Sequence, residues 1–182
     1  MSIRMAYTHF DFPVKFRALY DHAVAAYAGG RRGAETFFDA EQTRWLAANG
    51  ITPQAMYDYA EDDVAQGEPG SDHALAIELV RRDYFLNVQH GVASRVVADP
   101  ETWPGKGEAV EGIEWLPRIL PKTRAKLRGE LPSSMMYGCG GDRRFFKTHD
   151  ILPAEFLALV WRHESDYAAI IAWVVARSRA KR

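Results

Sequence analysis

The sequence predicts an all-α fold, a compact helical bundle, on three observations. Apolar residues recur at helical spacing in several segments. Capping residues or prolines stand at the starts of those segments and glycines at their ends. The pattern then recurs one hundred positions later, which suggests two tandem pseudo-symmetric helical repeats; a single irregular bundle is the competing account, with the same class.

Pro13 suits the first turn of a helix over Val14 to Ala28, because the amide hydrogen it lacks has no acceptor there. Phe16, Tyr20, Val24 and Tyr27 fall on one stripe of that helix, and Gly29-Gly30 stops it. Arg31 to Thr36 reads as a loop. Asp39, with Gln42 at the third position, caps a short helix that carries Trp45 and Leu46 toward the core and ends near Asn49-Gly50. Thr52-Pro53 starts another, with Met56, Tyr57 and Tyr59. The acidic Glu61-Asp62-Asp63 and the stretch from Gln66 to Gly70 read as a return to loop. Ser71 or Asp72 opens a helix running from about His73 to His90, closed by Gly91.

In the second half Leu116, Ile119, Leu120 and Leu127 take the places of Phe16, Leu19, Tyr20 and Tyr27. Gly129 answers Gly29, Phe145-Phe146 answer Trp45-Leu46, and Ile151 and Pro153 answer Ile51 and Pro53. Beyond that point the register shifts by six, so that Asp166 to Val174 runs parallel to Asp72 to Val80. The expected organisation is a first repeat over 1–97, a connector over 98–112 rich in proline and glycine, and a second repeat over 113–182.

Composition narrows the function classes. The formal charge is -1, with 9 basic against 13 acidic side chains in residues 1–98 and 14 against 11 afterwards. Neither half carries the single-sign field of a nucleic-acid domain, so no nucleic acid is expected as a partner. The opening MSIRMAYTHF lacks the apolar run of a secretory signal, and no stretch reaches the roughly 18 to 20 apolar residues of a membrane span. With one cysteine, no intrachain disulfide and no paired-cysteine zinc knuckle can form. A cytoplasmic protein with a reduced thiol and no membrane partner is the expectation.

The chemistry concentrates in MMYGCGGDRRFFKTHDI, from Met135 to Ile151. Cys139 sits among Gly138, Gly140 and Gly141, whose bare backbone leaves amides free to face an anion or a thiolate. Asp142 is expected to cap the following helix, and Arg143 and Arg144 add positive charge beside the thiol. A covalent nucleophile needs a base, for which His149 and His163 are the candidates in this half. Cys139, Asp142 and His149 are therefore the candidate catalytic residues. Tyr137, Gly140, Gly141, Arg143 and Arg144 are candidate ligand-binding residues, joined by Tyr84 from the aromatic and charged segment RRDYFLNVQH.

The glycine run is no Walker loop, since it lacks the Gly-Lys-Ser/Thr ending, and no His-Glu-x-x-His motif is present. Asp83, Asn87 and His90 lie at i, i+4 and i+7, a spacing that puts them on one helical face. Arg118, Lys122 and Lys126 form a basic face on the 113–128 helix, open to an acidic partner or a phosphorylated ligand. The closing Arg177, Arg179, Lys181 and Arg182 complement a helix dipole.

Over about residues 112–176 the sequence resembles an uncharacterised bacterial family, the domain of unknown function 5069. The resemblance rests on Leu116-Pro117-Arg118, Lys122-Thr123-Arg124-Ala125, Gly129, Tyr137, Cys139, Asp142 and Phe145-Phe146. Where the family has a proline and an aliphatic residue after the cysteine, this chain has Gly140 and Gly141. The resemblance implies no particular activity. It draws attention to Tyr137, Cys139 and Asp142.

The functional expectation is a small-molecule binding protein or an enzyme acting on an anionic ligand near the Gly138 to Arg144 loop. The alternative is a non-catalytic helical module that docks another protein. The sequence names no cofactor, no metal ligand set and no oligomeric state.

Overall fold

A computed structural model describes residues 8–180. The absence of a signal-type run in the opening segment concerns residues of which 1–7 lie outside that range, as do Lys181 and Arg182 of the basic tail. Among the described residues there are eight α-helices and one two-residue hairpin: α1 (Phe12–Ala28), α2 (Ala40–Ala48), α3 (Pro53–Gln66), α4 (Ser71–Asn87), β1 (Ala109–Val110), β2 (Ile113–Glu114), α5 (Leu116–Arg128), α6 (Gly140–His149), α7 (Pro153–His163) and α8 (Tyr167–Ala180). The chain divides into two compact units. One runs through Ala47 and resumes over Thr52–Leu75; the other takes in Ala48–Ile51 and the chain from Ala76 onward.

In the first unit α1 packs on α3 because their apolar stripes are complementary. Phe12, Phe16, Leu19, Tyr20 and Ala23 are buried on one side, and Met56, Tyr59 and Ala60 on the other. The Tyr20 phenol crosses between the helices to donate to Asp63 Oδ2 at 2.5 Å. Asp39 and Gln42 close the expected capping box: Gln42 N–H donates to Asp39 Oδ1 at 2.8 Å, and Asp39 N–H to Gln42 Oε1 at 2.9 Å. Thr52 caps α3 through Ala55 N–H at 3.1 Å, with Pro53 in the first turn.

Two local expectations are corrected. Glu61-Asp62-Asp63 do not leave the helix; α3 continues to Gln66 and ends where Gly67, at φ 70°, donates to the Asp63 carbonyl. The acidic residues are accommodated because Asp63 accepts from Tyr20 and Glu61 from Tyr27. The fourth helix ends at Asn87, not His90, which has a left-handed φ of 53°. Asp83 and Asn87 bond to each other, while His90 stands past the helix end and does not share their face.

The second unit is built around Leu116, Ile119, Leu120 and Leu127 of α5, Phe145 and Phe146 of α6, Phe156, Leu157, Leu159 and Val160 of α7, and Ile170 and Val174 of α8. Phe145, Phe146 and Phe156 form an aromatic knot with ring centroids 5.4 to 6.1 Å apart, spacings typical of edge-on and tilted pairs. Gly50 belongs to this unit: at φ 72°, a Cβ there would lie 2.6 Å from Phe85 Cγ. The 98–112 stretch is also part of it. Arg118 ties that stretch to α5 by donating to the Pro104 carbonyl at 2.8 Å, with its guanidinium over the Trp103 ring.

Burial in the two halves coincides at some positions of the hundred-residue offset and not at others, since Leu127 and Phe145 are buried while Tyr27 and Trp45 are half-buried. Phe16 and Leu116, Leu19 and Ile119, Tyr20 and Leu120, Phe37 and Tyr137, Leu46 and Phe146, Met56 and Phe156, and Tyr59 and Leu159 are all buried. The polar interior does not follow it. Lys122, Thr123, Asp142 and Arg143 are buried, whereas the positions one hundred earlier hold His22, Ala23, Gln42 and Thr43.

Candidate functional site

α5 presents Lys122 and Lys126 to the interior, not to solvent. Lys122 Nζ lies 2.6 Å from Asp142 Oδ2, and the two side chains are 4% and 0% exposed. Lys126 pairs with the buried Glu78 of α4. This corrects the expectation of an open basic face. Four residues separate the two lysines, one helical turn, and each meets a carboxylate on a neighbouring helix. A buried ammonium without such a partner would be strongly destabilising.

Asp142 is where several elements converge. Its Oδ1 accepts from Trp115 Nε1 at 3.0 Å; its Oδ2 accepts from Lys122 Nζ and, at 2.9 Å, from Gly138 N–H. Asp142 does not cap α6. Cys139 occupies the N-cap, and Asp142, in the third helical position, reaches back to the loop. Arg143 closes the same loop from the other side by donating to the Gly138 carbonyl at 2.7 Å. Gly138 is at φ 83°, a conformation that favours glycine, and both of its backbone polar groups are held by side chains two turns or less away.

Cys139 is partly exposed, and Lys122 Nζ donates to its Sγ at 3.2 Å. One ammonium therefore bridges a thiol sulfur and a buried carboxylate. Tyr137 is buried and donates to the Pro153 carbonyl at 2.8 Å. Burial, and then the nearby charge of Asp142, push its phenol well above the usual tyrosine value, so it remains a neutral donor. The full length of α6 separates Cys139 from His149, about 15 Å of helical rise over ten residues. His149 instead lies 3.0 Å from the Ser178 hydroxyl, against the Phe145 ring.

The residues of α6 at i, i+3, i+4, i+7 and i+8, namely Gly141, Arg144, Phe145, Thr148 and His149, share a face, and that face walls a cleft of about 470 Å3. Opposite it stand Lys106, the hairpin residues Gly112 to Glu114, and Trp115. Trp115 carries the strain of the site. It has φ 70°, rare for a bulky side chain, between β2 and α5. A Cβ on Gly141 would come within 2.7 Å of its ring, so glycine is what lets the indole lie against α6. Trp115 thus borders the cleft with its ring and holds Asp142 with its N–H.

Among the residues singled out from sequence, Gly141, Arg144 and His149 line the cleft. Cys139, Asp142, Arg143 and Tyr137 form the packed cluster behind the α6 N-terminus, and Gly140 is exposed at its first position. Tyr84 is brought to neither; it packs edge-on against Trp161 at 5.5 Å. Sequence reading missed Lys122 as a partner of Cys139 and missed Trp115 and Lys106. The i, i+3, i+4 spacing from Gly141 to His149 was available as a signal for the cleft wall. No cluster of three or more His, Cys, Asp or Glu residues suited to a metal occurs among the described residues.

A mainly helical unit with a polar cleft beside a buried Lys-Asp pair is the class that fold and site define. Residues 105–182 match the model of a family described as a domain of unknown function (DUF5069). The matched stretch takes in every residue of the cleft and of the Lys122-Asp142 cluster. No curated protein and no solved structure matches the chain. No helix among the described residues is long and apolar enough to cross a membrane.

Proposed function

We propose that this protein binds a small anionic molecule in the cleft beside the Gly138 to Arg144 loop. The observation that carries the proposal is the cleft lining: Lys106, Arg144 and His149 face a single acidic residue, Glu114, around an aromatic floor supplied by Trp115 and Phe145. Its volume falls in the roughly 300 to 1,000 Å3 range of small-molecule sites. The first turn of α6 adds the partial positive charge of a helix start. Trp115, fixed by Asp142, gives a rigid surface on which a ligand with a flat or apolar part can rest.

A second reading, thiol chemistry at Cys139, has its own support in the 3.2 Å approach of Lys122 to Sγ. The thiol is also partly exposed, so a small reagent can reach it. A cytoplasmic setting suits such a reduced thiol. The hundred-residue offset supports a chain made of two copies of one helical pattern, with the buried charge cluster kept in the second.

The test is a titration with a panel of small carboxylates and phosphate esters, followed by tryptophan fluorescence and thermal stability. At least one compound is expected to bind the wild type and to lose roughly tenfold or more in affinity in Arg144→Gln, the loss of a charge-assisted hydrogen bond. Binding that is indifferent to Arg144→Gln and to Lys106→Gln would sink the proposal, as would a panel without a binder.

A further inference from the structure

The second unit holds another cavity, of about 120 Å3, among α4, α5, α7 and the turn before α8. Its polar lining is Tyr84, Arg124, Arg128, Glu164 and Ser165, with Trp161 as an aromatic wall. Arg124 is fixed there by Tyr167. Its guanidinium lies 4.0 Å from the ring centroid, and its Nη1 donates to the phenol oxygen. That leaves Nη2, which is buried and has no hydrogen-bond partner among the described residues. Buried donors without acceptors are rare, and a cationic one asks for an anion.

We infer that this pocket is a second anion site, separate from the cleft, that takes one carboxylate or phosphate group on Arg124 and Arg128. The arrangement supports this in three ways. Two arginines against one glutamate leave a surplus of one positive charge, which a single monoanionic group neutralises. The stacking of Arg124 on Tyr167 orders the guanidinium before a ligand arrives, so less side-chain freedom is lost on binding. The volume is well below the roughly 300 Å3 at which small-molecule sites usually begin, which confines the occupant to the size of an oxyanion.

The experiment is calorimetric titration of the full chain with inorganic phosphate and, separately, with acetate, at constant ionic strength with chloride as control. Wild type and Arg144→Gln proteins are both used, so that binding in the cleft is not counted. The expected result is saturable binding of one of the two oxyanions that survives Arg144→Gln and weakens roughly tenfold or more in Arg124→Gln and in Arg128→Gln. The arm that responds tells phosphate from carboxylate recognition. Arg128 is exposed, so its variant carries the test if Arg124→Gln does not fold. Binding of neither oxyanion, an equal response to chloride, or titrations unchanged by Arg128→Gln would overturn the assignment.

Discussion

Lys122 and Asp142, twenty residues apart in sequence, meet at 2.6 Å in the interior of the second unit, and neither has appreciable contact with solvent. The pair sits between the cleft, which it reaches through Trp115, and the thiol of Cys139, which it reaches through the lysine itself.

Removing one partner strands the other. Asp142→Ala is expected to cost about 3 to 5 kcal/mol, as is typical when a buried ion pair loses one member. Replacing both residues, Lys122→Met with Asp142→Leu, should recover much of that loss. Urea unfolding of Lys122→Met, Asp142→Leu and the double variant forms the cycle; single variants within about 0.5 kcal/mol of wild type would contradict the buried pairing.

The same lysine donates to the thiol sulfur. Cys139 is expected to react with iodoacetamide in the folded protein, and several-fold more slowly in Lys122→Gln, which keeps a hydrogen-bonding group but removes the charge. Intact mass gives the rate without interference, since the chain has one cysteine. Equal rates in the two proteins would leave Cys139 as a half-buried packing residue. Cys139→Ser should unfold at nearly the wild-type urea concentration.

Gly141→Ala sets two effects against each other. Alanine is favoured over glycine by up to about 1 kcal/mol in a helix interior and by less in the first turn, where Gly141 stands, but the new methyl group meets the Trp115 ring at 2.7 Å. The ring cannot withdraw freely because its N–H is held by Asp142. Net destabilisation of about 1 to 3 kcal/mol is expected, as for other overpacked sites, together with a changed near-ultraviolet circular dichroism from tryptophan. A gain in stability would show that Trp115 is loosely held.

Alkaline pH should weaken the fold through its buried phenols. Burial, then Asp142, raises Tyr137; burial, then the hydrogen bond to Asp63, raises Tyr20. A phenol raised in the folded state contributes stability that is complete below its unfolded value of 10 and is lost as pH climbs above it. Each such group steepens the fall by up to about 1.4 kcal/mol per pH unit. Stability measured from pH 8 to 11.5 should therefore drop beyond roughly pH 10, and Tyr137→Phe should make that drop shallower. An unchanged slope would mean that Tyr137 ionises as freely as in the unfolded chain.

The elements whose signals are local were legible in the chain. Pro13, the Asp39-Gln42 box, Thr52-Pro53 and the glycines at 29 and 129 act within a turn of where they stand, so their types and spacing are enough to place helix ends. The core stripes were legible for the same reason: burial of Leu116, Ile119 and Leu120 follows from their helical period. The candidate site was legible in part, because Gly141, Arg144 and His149 lie within one short segment.

What only the tertiary structure decided is where charge goes. Lys122 and Lys126 have the spacing of a solvated basic face, and nothing within a few residues of either distinguishes a surface lysine from a paired interior one. Their carboxylates come from α6 and α4, twenty residues ahead and forty-eight behind. An ion pair between helices depends on how they pack, which summed side-chain volumes determine and no local pattern encodes. The role of Trp115 was hidden for the same reason: its left-handed backbone and its bond to Asp142 exist only once the hairpin, α5 and α6 have closed on one another. Sequence by itself therefore determined the helices and the chemistry-rich segment. Packing determined which of those charged residues are buried, which side chains line the cleft, and that Cys139 is paired with a lysine and not with the histidine ten residues on.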